Sequence, residues 1–256
     1  MADLKVIKIG GNVIDNDLTL ERFLRDFAAL EGRKILVHGG GKLATRMAER
    51  LEIKQQMVDG RRITDRSTLD VVTMVYAGLI NKRIVAMLQS FGCNAMGMSG
   101  ADGGIIRANR RSPEPIDYGF VGDIAEVDGK RLQTLTTEGI TPVICSIMHD
   151  GKGTLLNCNA DSVASAVAAG VAREEAAELI FCFDKAGVLR DVNDPTTLIP
   201  QITADTYPTL KAEGVVSAGM IPKVENALRS VEDGLQSVTI KHSDDLTNPT
   251  AGTTIR

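Results

Sequence analysis

Short apolar runs alternate with longer amphipathic segments along the chain. The runs are rich in β-branched residues and lack a regular polar alternation, which is typical of parallel strands covered on both faces. The predicted strands are LKVIKI (4–9), KILVH (34–38), CNAMGM (93–98), TPVICSI (141–147), ELIFCF (178–183) and QSVTI (236–240). Apolar residues recur at helical spacing in residues 18–30, 42–51, 68–91, 160–172 and 220–234. This order predicts an α/β fold, a three-layer αβα sandwich with a mainly parallel central sheet.

Residues 105–127 break the alternation of strands and helices. Two extended pieces flank a charged turn that contains two prolines, so the sequence predicts a protruding β-hairpin, an element that often acts as a lid. No low-complexity linker separates the two halves of the chain. We therefore expect an N-terminal lobe (1–175), which carries the hairpin lid, and a C-terminal lobe (176–256) that share one continuous sheet.

Composition narrows the class of partner. The 256 residues are 43% hydrophobic, only 4% are aromatic, and the formal net charge is −4. Nothing resembles the basic, stacking surface that nucleic acid requires or a polybasic run for a membrane surface, so the expected partner is a small molecule. The four cysteines form no C-x-x-C pair, which predicts neither a zinc site nor a disulfide framework and favours a cytoplasmic protein. We expect neither a signal peptide nor a membrane span.

Two glycine clusters follow the first two predicted strands. Gly10 and Gly11 come directly after the first strand, and residues 39–41 are glycines that follow His38 at the end of the second. Ligands of such sheets bind beyond the carboxyl ends of the strands, where backbone N–H groups can face an anion. Lys8 lies in the first apolar strand, where an unpaired ammonium is costly to bury. The sequence thus predicts an anion site, although each glycine pair alone could be only a tight turn.

The second half of the chain supplies complementary groups. Asn157, Asn159 and Asp161 precede or open an alanine-rich helix, and Asn159 alone is best interpreted as a helix cap. A carboxylate at Asp161 could orient two lysines around several phosphates and limit their mutual repulsion. Lys223 lies in the first turn of another helix, where it opposes the helix dipole unless an anion faces it. A solvated surface lysine is the simpler interpretation of Lys223.

The second glycine cluster loosely matches one nucleotide-binding motif and does not match another. GGGKLA fits the loose dinucleotide pattern G-x-G-x-x-A, so an oxidoreductase is an alternative, but the following EIKQQMVDGRRITD does not provide a second strand that ends in an acidic residue. A P-loop is excluded because no G-x-x-x-x-G-K-[ST] occurs and Lys42 is followed by leucine.

Seven motifs in order carry a resemblance to a known family. KIGG, HGGGK, GRRITD, NCNADSVA, DKAGVL, AGMIPKV and the closing AGTTI span nearly the whole chain, and together they resemble the acetylglutamate kinases of the amino acid kinase superfamily. The resemblance implies an open αβα sandwich that binds the acyl-glutamate in its N-terminal half and ATP in its C-terminal half. It also implies transfer of a phosphoryl group, with Mg²⁺ bridging the ATP phosphates, to the side-chain carboxylate of N-acetyl-L-glutamate in arginine biosynthesis.

The resemblance assigns roles to individual residues of this sequence. Lys8 and Lys223 would bind the transferring phosphoryl group from either side, Asp161 would organise both lysines, and Gly11 and Gly41 would donate backbone amides to its oxygens. The substrate would be held by Gly40, Gly41, Arg62 and Asn157. The nucleotide would contact Asp184, Lys185, Gly187, Val188, Leu189, Val215, Val216 and Ser217. No residue is expected to hold a metal on its own.

The acceptor chemistry makes a side-chain base unnecessary, because the acceptor is already a carboxylate at neutral pH. His38, His149 and His242 need not be catalytic, and His38 is expected to order the glycine turn. Another kinase of this fold, acting on glutamate, carbamate or a nucleoside monophosphate, and a non-catalytic sensor remain alternatives.

Two further expectations concern assembly and acyl specificity. The strand that carries Lys8 begins within a few residues of Met1, leaving no room for the N-terminal helix of arginine-inhibited, hexameric relatives, so we expect a homodimer that arginine does not inhibit. Four arginines of the substrate half could set acyl specificity: Arg61, which adjoins Arg62, and Arg107, Arg110 and Arg111 of the predicted hairpin. If one of them enters the pocket, it could bind a second carboxylate and favour N-succinyl-L-glutamate, whereas solvated arginines are the simpler interpretation.

Overall fold

The computed structural model describes residues 4–58, 61–191, 194–216 and 220–256. The strands are β1 (Leu4–Ile9), β2 (Arg33–His38), β3 (Gln56–Val58), β4 (Arg61–Ile63), β5 (Ala95–Met98), β6 (Ile106–Arg110), β7 (Gly122–Val127), β8 (Thr141–Cys145), β9 (Ile147–His149), β10 (Leu155–Asn157), β11 (Ala177–Phe183), β12 (Gln201–Ile202), β13 (Ser237–His242) and β14 (Thr253–Ile255). The α-helices are α1 (Gly11–Ile14), α2 (Asp17–Ala29), α3 (Gly41–Arg50), α4 (Arg66–Thr73), α5 (Asn81–Ser90), α6 (Gly129–Thr137), α7 (Ala160–Ala172), α8 (Tyr207–Ala212) and α9 (Ile221–Glu232).

An eight-stranded sheet forms the centre of the molecule, in the order β12-β14-β13-β11-β1-β2-β8-β5. All neighbouring strands in it run parallel except β13 and β14, which are antiparallel. Strands from both halves of the chain, β1 and β11, lie side by side at its middle. The predicted α/β class with a mainly parallel sheet is confirmed.

Alternate side chains of β1 enter two separate hydrophobic cores. Leu4 and Val6 pack on one face of the sheet with residues of α7 and α9, whereas Ile7 and Ile9 pack on the other face with residues of α2 and α5. All four side chains are fully buried. Because successive residues of a strand point to opposite faces, Lys8 lies on the same face as Leu4 and Val6, towards α7 and α9. The pleat of β1 therefore selects which helices can approach Lys8.

The predicted hairpin is formed by β6 and β7, which pair antiparallel with an irregularity between Arg107 and Ala108. It belongs to a second, four-stranded sheet in the order β10-β9-β6-β7. Its tip docks beside β4, since the Thr64 amide donates to the Tyr118 carbonyl at 2.9 Å and the Phe120 amide donates to the Thr64 carbonyl at 2.7 Å. Val121, which directly precedes β7, lines the same cavity as the glycines that follow β2.

Several elements differ from the prediction. The single run predicted at 141–147 divides into β8 and β9, which belong to different sheets. Helix α6 was not predicted because its sequence, GKRLQTLTT, is mostly polar with only two leucines at helical spacing; Asp128 caps it by accepting from the Arg131 amide. The short edge strand β12 also escaped prediction, because two residues carry no periodicity.

A continuous helix from Arg66 to Ser90 unites α4, a π-helical stretch (Met74–Ile80) and α5. By length and composition it is apolar enough to cross a membrane, so the expectation that no stretch of the chain meets that threshold was wrong. Its apolar residues Leu69, Val72, Ile84 and Leu88 are buried in the hydrophobic core that contains Ile7 and Ile9. Burial in the protein core accounts for its hydrophobicity.

Candidate active site

A cavity of about 230 Å³ opens at the carboxyl ends of β1 and β2. Its lining includes Lys8, Gly11, Gly40, Gly41, Arg62 and Asn157. These six residues come from four separate stretches of the chain, and all were singled out in the sequence. Their common location is the edge of a parallel sheet where ligand sites are built. The structure therefore brings the predicted phosphoryl-binding glycines and the predicted substrate residues to one place.

The second glycine cluster forms the start of α3. Gly40 is the N-cap residue, its φ is 155°, and a Cβ placed there would lie 2.1 Å from Ile80 Cδ1. Only glycine fits this position. No side chain caps the helix, so its first amides lack partners from the helix itself and face the cavity. By contrast, a Cβ at Gly11 would meet nothing within 4 Å, so the space beside Gly11 is open to a ligand. This is the geometry of an anion site.

His38 anchors the glycine turn from beneath, as the sequence suggested. The ring is fully buried, its Nδ1 lies 2.8 Å from the Gly39 carbonyl, and Asn81 Nδ2 lies 3.0 Å from its Nε2. Burial lowers the pKa of His38 to about 4, so the imidazole is neutral at physiological pH. Asn81 Nδ2 also donates to the Val143 carbonyl. With Asn81 donating to Nε2, the Nδ1–H donates to Gly39, and His38 acts as a structural bridge rather than a base.

Two lysines form ion pairs with one carboxylate near these glycine turns. Lys8 Nζ lies 2.6 Å from Asp161 Oδ1, and Lys223 Nζ lies 3.2 Å from Asp161 Oδ2. Asp161 stands in the first turn of α7, whose N-cap Asn159 accepts from the Asp161 and Ser162 amides. The predicted grouping of Lys8, Asp161 and Lys223 is thus present in the structure, while their catalytic roles stay a prediction.

With both lysines protonated and Asp161 ionised, this group carries a formal charge of +1. Burial lowers the pKa of Lys8, an effect that Asp161 opposes and the nearby Lys223 reinforces. Burial would raise the pKa of Asp161, but the two ammonium groups outweigh it and hold that pKa below its usual value. One carboxylate therefore stays ionised between two cations, and a further anion would balance the remaining charge.

Arg62 is held by acceptors that are already in place. It is only 7% exposed, and its guanidinium donates to the Gly41 carbonyl at 2.9 Å, to Thr45 Oγ1 at 2.8 Å and to Gln55 Oε1. Asn157 is 8% exposed and donates through Nδ2 to Thr64 Oγ1 at 3.1 Å. Both side chains line the cavity in fixed orientations. Such rigid placement suits recognition of a small carboxylate ligand.

The four arginines considered for acyl specificity differ in position. Arg107 pairs with Glu126, Arg110 donates to the Gly119 carbonyl, and Arg111 pairs with Asp123, so these three are engaged within the hairpin. Among the described residues, the lining of the cavity includes Arg61 next to Arg62 but none of the three hairpin arginines. The hairpin arginines therefore serve the hairpin, and Arg61 is the one of the four beside the ligand space.

The predicted nucleotide segment follows β11. Asp184 and Lys185 are exposed, whereas Val188 and Val216 are each 2% exposed and belong to the core. The Val188 amide donates to Thr253 Oγ1 of the closing AGTTI motif at 2.8 Å, which ties the segment to β14. Gly187 has a φ of 151° and lies against the same threonine.

Some of the other predicted nucleotide residues are described by the structure and one is not. Leu189 forms an isolated β-bridge with Leu198. Val215 packs against the hydrophobic core that contains Leu4 and Val6. Ser217 lies outside the described residues. Nucleotide contact by any of these residues stays a prediction.

Two residues that the sequence analysis did not single out connect the site. Asn12 Nδ2 donates to Asp184 Oδ2 at 2.8 Å, which joins the first glycine turn to the predicted nucleotide segment. Phe183 lies beneath both lysine ammonium groups. The sequence showed only that Phe183 ends a predicted strand and directly precedes Asp184, and it gave no signal for the contact with the lysines.

Comparisons with known proteins agree with the motif resemblance. The sequence profile of the amino acid kinase family matches residues 3–242. An acetylglutamate kinase from Cytophaga hutchinsonii is 51% identical, over 99% of this chain and 98% of its own length, and one from Phocaeicola vulgatus is 47% identical over the same shares.

A solved structure shares the fold of this chain. The crystal structure of smu.665 from Streptococcus mutans superposes with a TM-score of 0.79 at 27% identity, covering 100% of this chain and 99% of the other. The resemblance drawn from the seven motifs is confirmed by these relatives.

Proposed function

The chain belongs to the amino acid kinase family, and from that premise we propose that it uses ATP to phosphorylate the side-chain carboxylate of N-acetyl-L-glutamate, a step of arginine biosynthesis. The observation that carries the proposal is the pair of lysines on Asp161 beside an uncapped helix N-terminus. A non-catalytic sensor of this fold would have no need for both lysines. The carboxyl-end cavity supplies the room for the acceptor.

In this reaction a substrate carboxylate oxygen attacks the γ-phosphorus of ATP while the bond to the ADP oxygen breaks, giving an acyl phosphate and ADP. The transferring group is strongly anionic, so positioning and charge stabilisation supply most of the catalysis. Lys8 and Lys223 would neutralise its oxygens from two sides, and the amides of Gly11 and Gly41 would donate to them. Asp161 would keep the ammonium groups in place.

The two ligands would lie on opposite sides of the lysines. Arg62 and Asn157 would hold the acyl-glutamate, with Arg62 binding its α-carboxylate. The nucleotide would lie on the C-terminal half, against residues 184–189 and 215–217. Ammonium groups and backbone amides bind anions rather than metals, so Mg²⁺ would enter bound to the nucleotide and would offset part of the negative charge of its phosphates.

A second acceptor is favoured by one observation. Arg61 lines the same cavity as Arg62 and would offer a cation to a second carboxylate, as N-succinyl-L-glutamate carries. Both acceptors are tested by one assay in which ADP release, and trapping of the acyl phosphate with hydroxylamine, are measured for each acyl-glutamate. If neither compound yields an acyl phosphate, the proposed kinase activity is refuted.

We also propose a cytoplasmic homodimer. All four cysteines are free and buried, as suits a reducing compartment. Met74 and Leu79 on the long helix are 56% and 48% exposed, which leaves apolar surface for a second copy. Light scattering should give twice the chain mass, and a Leu79→Glu variant should lower it; a monomeric wild-type protein would refute the dimer.

A further inference from the structure

Phe183 occupies a position that the pleat of the sheet places beside Lys8. Lys8 of β1 lies opposite Phe181 of β11 in the parallel register, and Phe183 follows two residues later on the same face. This is the face that packs against α7 and α9, which carry Asp161 and Lys223. The sheet register thus brings one aromatic ring and three charged side chains together at the end of β11.

Both ammonium groups lie over the ring of Phe183. Lys223 Nζ is 3.7 Å from the ring centroid and Lys8 Nζ is 4.7 Å from it, both within the range of a cation–π contact. The ring stacks on Phe181 with centroids 5.9 Å apart. It also lies close to Gly10, where an added Cβ would stand 3.2 Å from its Cδ1.

We propose that Phe183 is a positioning residue of the phosphoryl-transfer site, holding the ammonium groups of Lys8 and Lys223 on the face of its ring. Asp161 balances only one of the two positive charges, so the lysines repel each other while the phosphate is absent. The negative face of an aromatic ring attracts cations without accepting a proton or competing for hydrogen bonds. The lysine N–H groups then stay available to phosphate oxygens.

The inference deepens the proposed kinase function and rests on it. A ring that served only as packing would tolerate any change that preserves its shape. A ring that holds cations must lose effect as its face becomes less negative, even at constant shape. These two roles are therefore separable by experiment.

The test replaces Phe183 with 4-fluoro-, 3,5-difluoro- and 3,4,5-trifluorophenylalanine by site-specific incorporation. The ring keeps nearly the same shape, while each fluorine weakens the negative potential of its face. We expect kcat to fall stepwise, reaching about a fivefold to tenfold loss in the trifluoro variant. The KM for the acyl-glutamate should stay unchanged, because that ligand does not depend on the lysine pair. A kcat that is constant across the series would overturn the proposal.

A matched control exists elsewhere in the chain. The guanidinium of Arg25 lies 4.5 Å from the ring centroid of Phe91, which directly follows α5 and packs against the core on the other face of the sheet. The same fluorination series at Phe91 should leave kcat unchanged. An equal loss in both series would show a generic effect of fluorination and would also overturn the proposal. Phe183→Tyr should restore most of the activity that Phe183→Leu loses.

A second readout does not depend on activity. In protein labelled with ¹³C-lysine, the ring current of Phe183 should displace the Hε resonances of Lys8 and Lys223 upfield, and the displacement should vanish in Phe183→Leu. Displaced resonances in a wild-type protein that phosphorylates neither acyl-glutamate would refute the proposed function but keep the ring contact. Normal kinase activity with a flat fluorination series would refute the positioning role alone.

Discussion

The two sides of the lysine pair differ in how completely their polar groups are already bound. On the proposed acyl side, Arg62 donates to three acceptors, and both ring nitrogens of His38 are hydrogen-bonded. On the nucleotide side, Asp184 and Lys185 are exposed, and Asp184 reaches across to Asn12. On the proposed acyl side the polar side chains are therefore already held in place, whereas the proposed nucleotide side presents exposed groups around a rigid core.

The lysines themselves divide along the same line. Lys8 is built into the central strand and is 7% exposed, whereas the side chain of Lys223 stands at the start of α9 and is 32% exposed. A buried charge on a strand depends on its partners more than a charge at a helix end. Removal of Lys8 should therefore affect folding as well as catalysis, whereas removal of Lys223 should affect catalysis alone.

The largest expected effect comes from removing either lysine. Lys8→Ala and Lys223→Ala should each lower kcat by about 10² or more, because each removes a preorganised charge stabiliser. Lys8→Arg should fail as well, since the broad guanidinium does not fit the space of a compact ammonium between glycines. Steady-state kinetics and thermal melts of each variant provide the measurement. Near-normal turnover in either alanine variant would exclude that lysine from the mechanism.

The sequence predicted most of this site because each part has a local signature. Gly40 and Gly41 follow a strand and open a helix, and Lys8 interrupts an apolar run, so their chemistry was visible without a structure. The grouping of Lys8 with Asp161 and Lys223 was predicted, but its distances depend on the register of β1 with β11 and on how α7 and α9 pack. Neither is encoded in any short motif.

Other parts could not be predicted from the sequence for a physical reason. Helix α6 is polar and is stabilised by its cap and by packing of Leu132, not by a periodic apolar face. The contact of Phe183 with two lysines joins residues that lie far apart along the chain. The hairpin arginines show the converse, because their charge suggested a ligand although Glu126 and Asp123 already pair with two of them.

A test of the acyl side alone uses pH. The pKa of His38 is lowered to about 4 from an ordinary value of 6.5, because burial disfavours the charged ring. The unfolded chain therefore binds a proton below pH 6.5 that the folded protein does not accept until about pH 4. The stability associated with neutral His38 is complete above pH 6.5 and is lost as the pH falls towards 4, by up to about 3 kcal/mol.

The measurement is urea unfolding at pH 7 and at pH 4.5 for wild type and His38→Gln. The variant lacks the titrating ring and should lose less free energy of unfolding between these pH values. An equal loss in both proteins would mean that other groups, not His38, set the acid sensitivity.

A paired test distinguishes Gly40, which has no room for a side chain, from Gly11, which borders open space. Gly40→Ala should lower the free energy of unfolding by about 1–3 kcal/mol, since the added Cβ meets Ile80 and φ is positive. Gly11→Ala should leave the melting temperature nearly unchanged yet lower kcat, since its Cβ enters space that only a ligand would occupy. Melting curves and kinetics of both variants decide this. Normal turnover in Gly11→Ala would place the phosphoryl group away from that amide.

The smallest expected effect concerns the choice of acyl group. Arg61 lines the cavity, whereas Arg107 is paired with Glu126 in the hairpin, so the two arginines make a matched pair. If Arg61 binds a second carboxylate, kcat/KM for N-succinyl-L-glutamate should match or exceed that for the acetyl compound. Arg61→Ala should then lower the succinyl value by about tenfold, within the range of one charge-assisted hydrogen bond, and leave the acetyl value unchanged.

The matched variants fix the cause of that selectivity. Arg107→Ala should leave both values unchanged, because its guanidinium is engaged with Glu126 away from the cavity. Arg62→Lys should instead raise KM for both substrates alike, since the α-carboxylate that Arg62 would bind is common to them and an ammonium cannot reproduce the planar fork. Turnover confined to the acetyl compound, unaffected by Arg61→Ala, would leave Arg61 without a role in acyl recognition and would assign the preorganised acyl side to N-acetyl-L-glutamate alone.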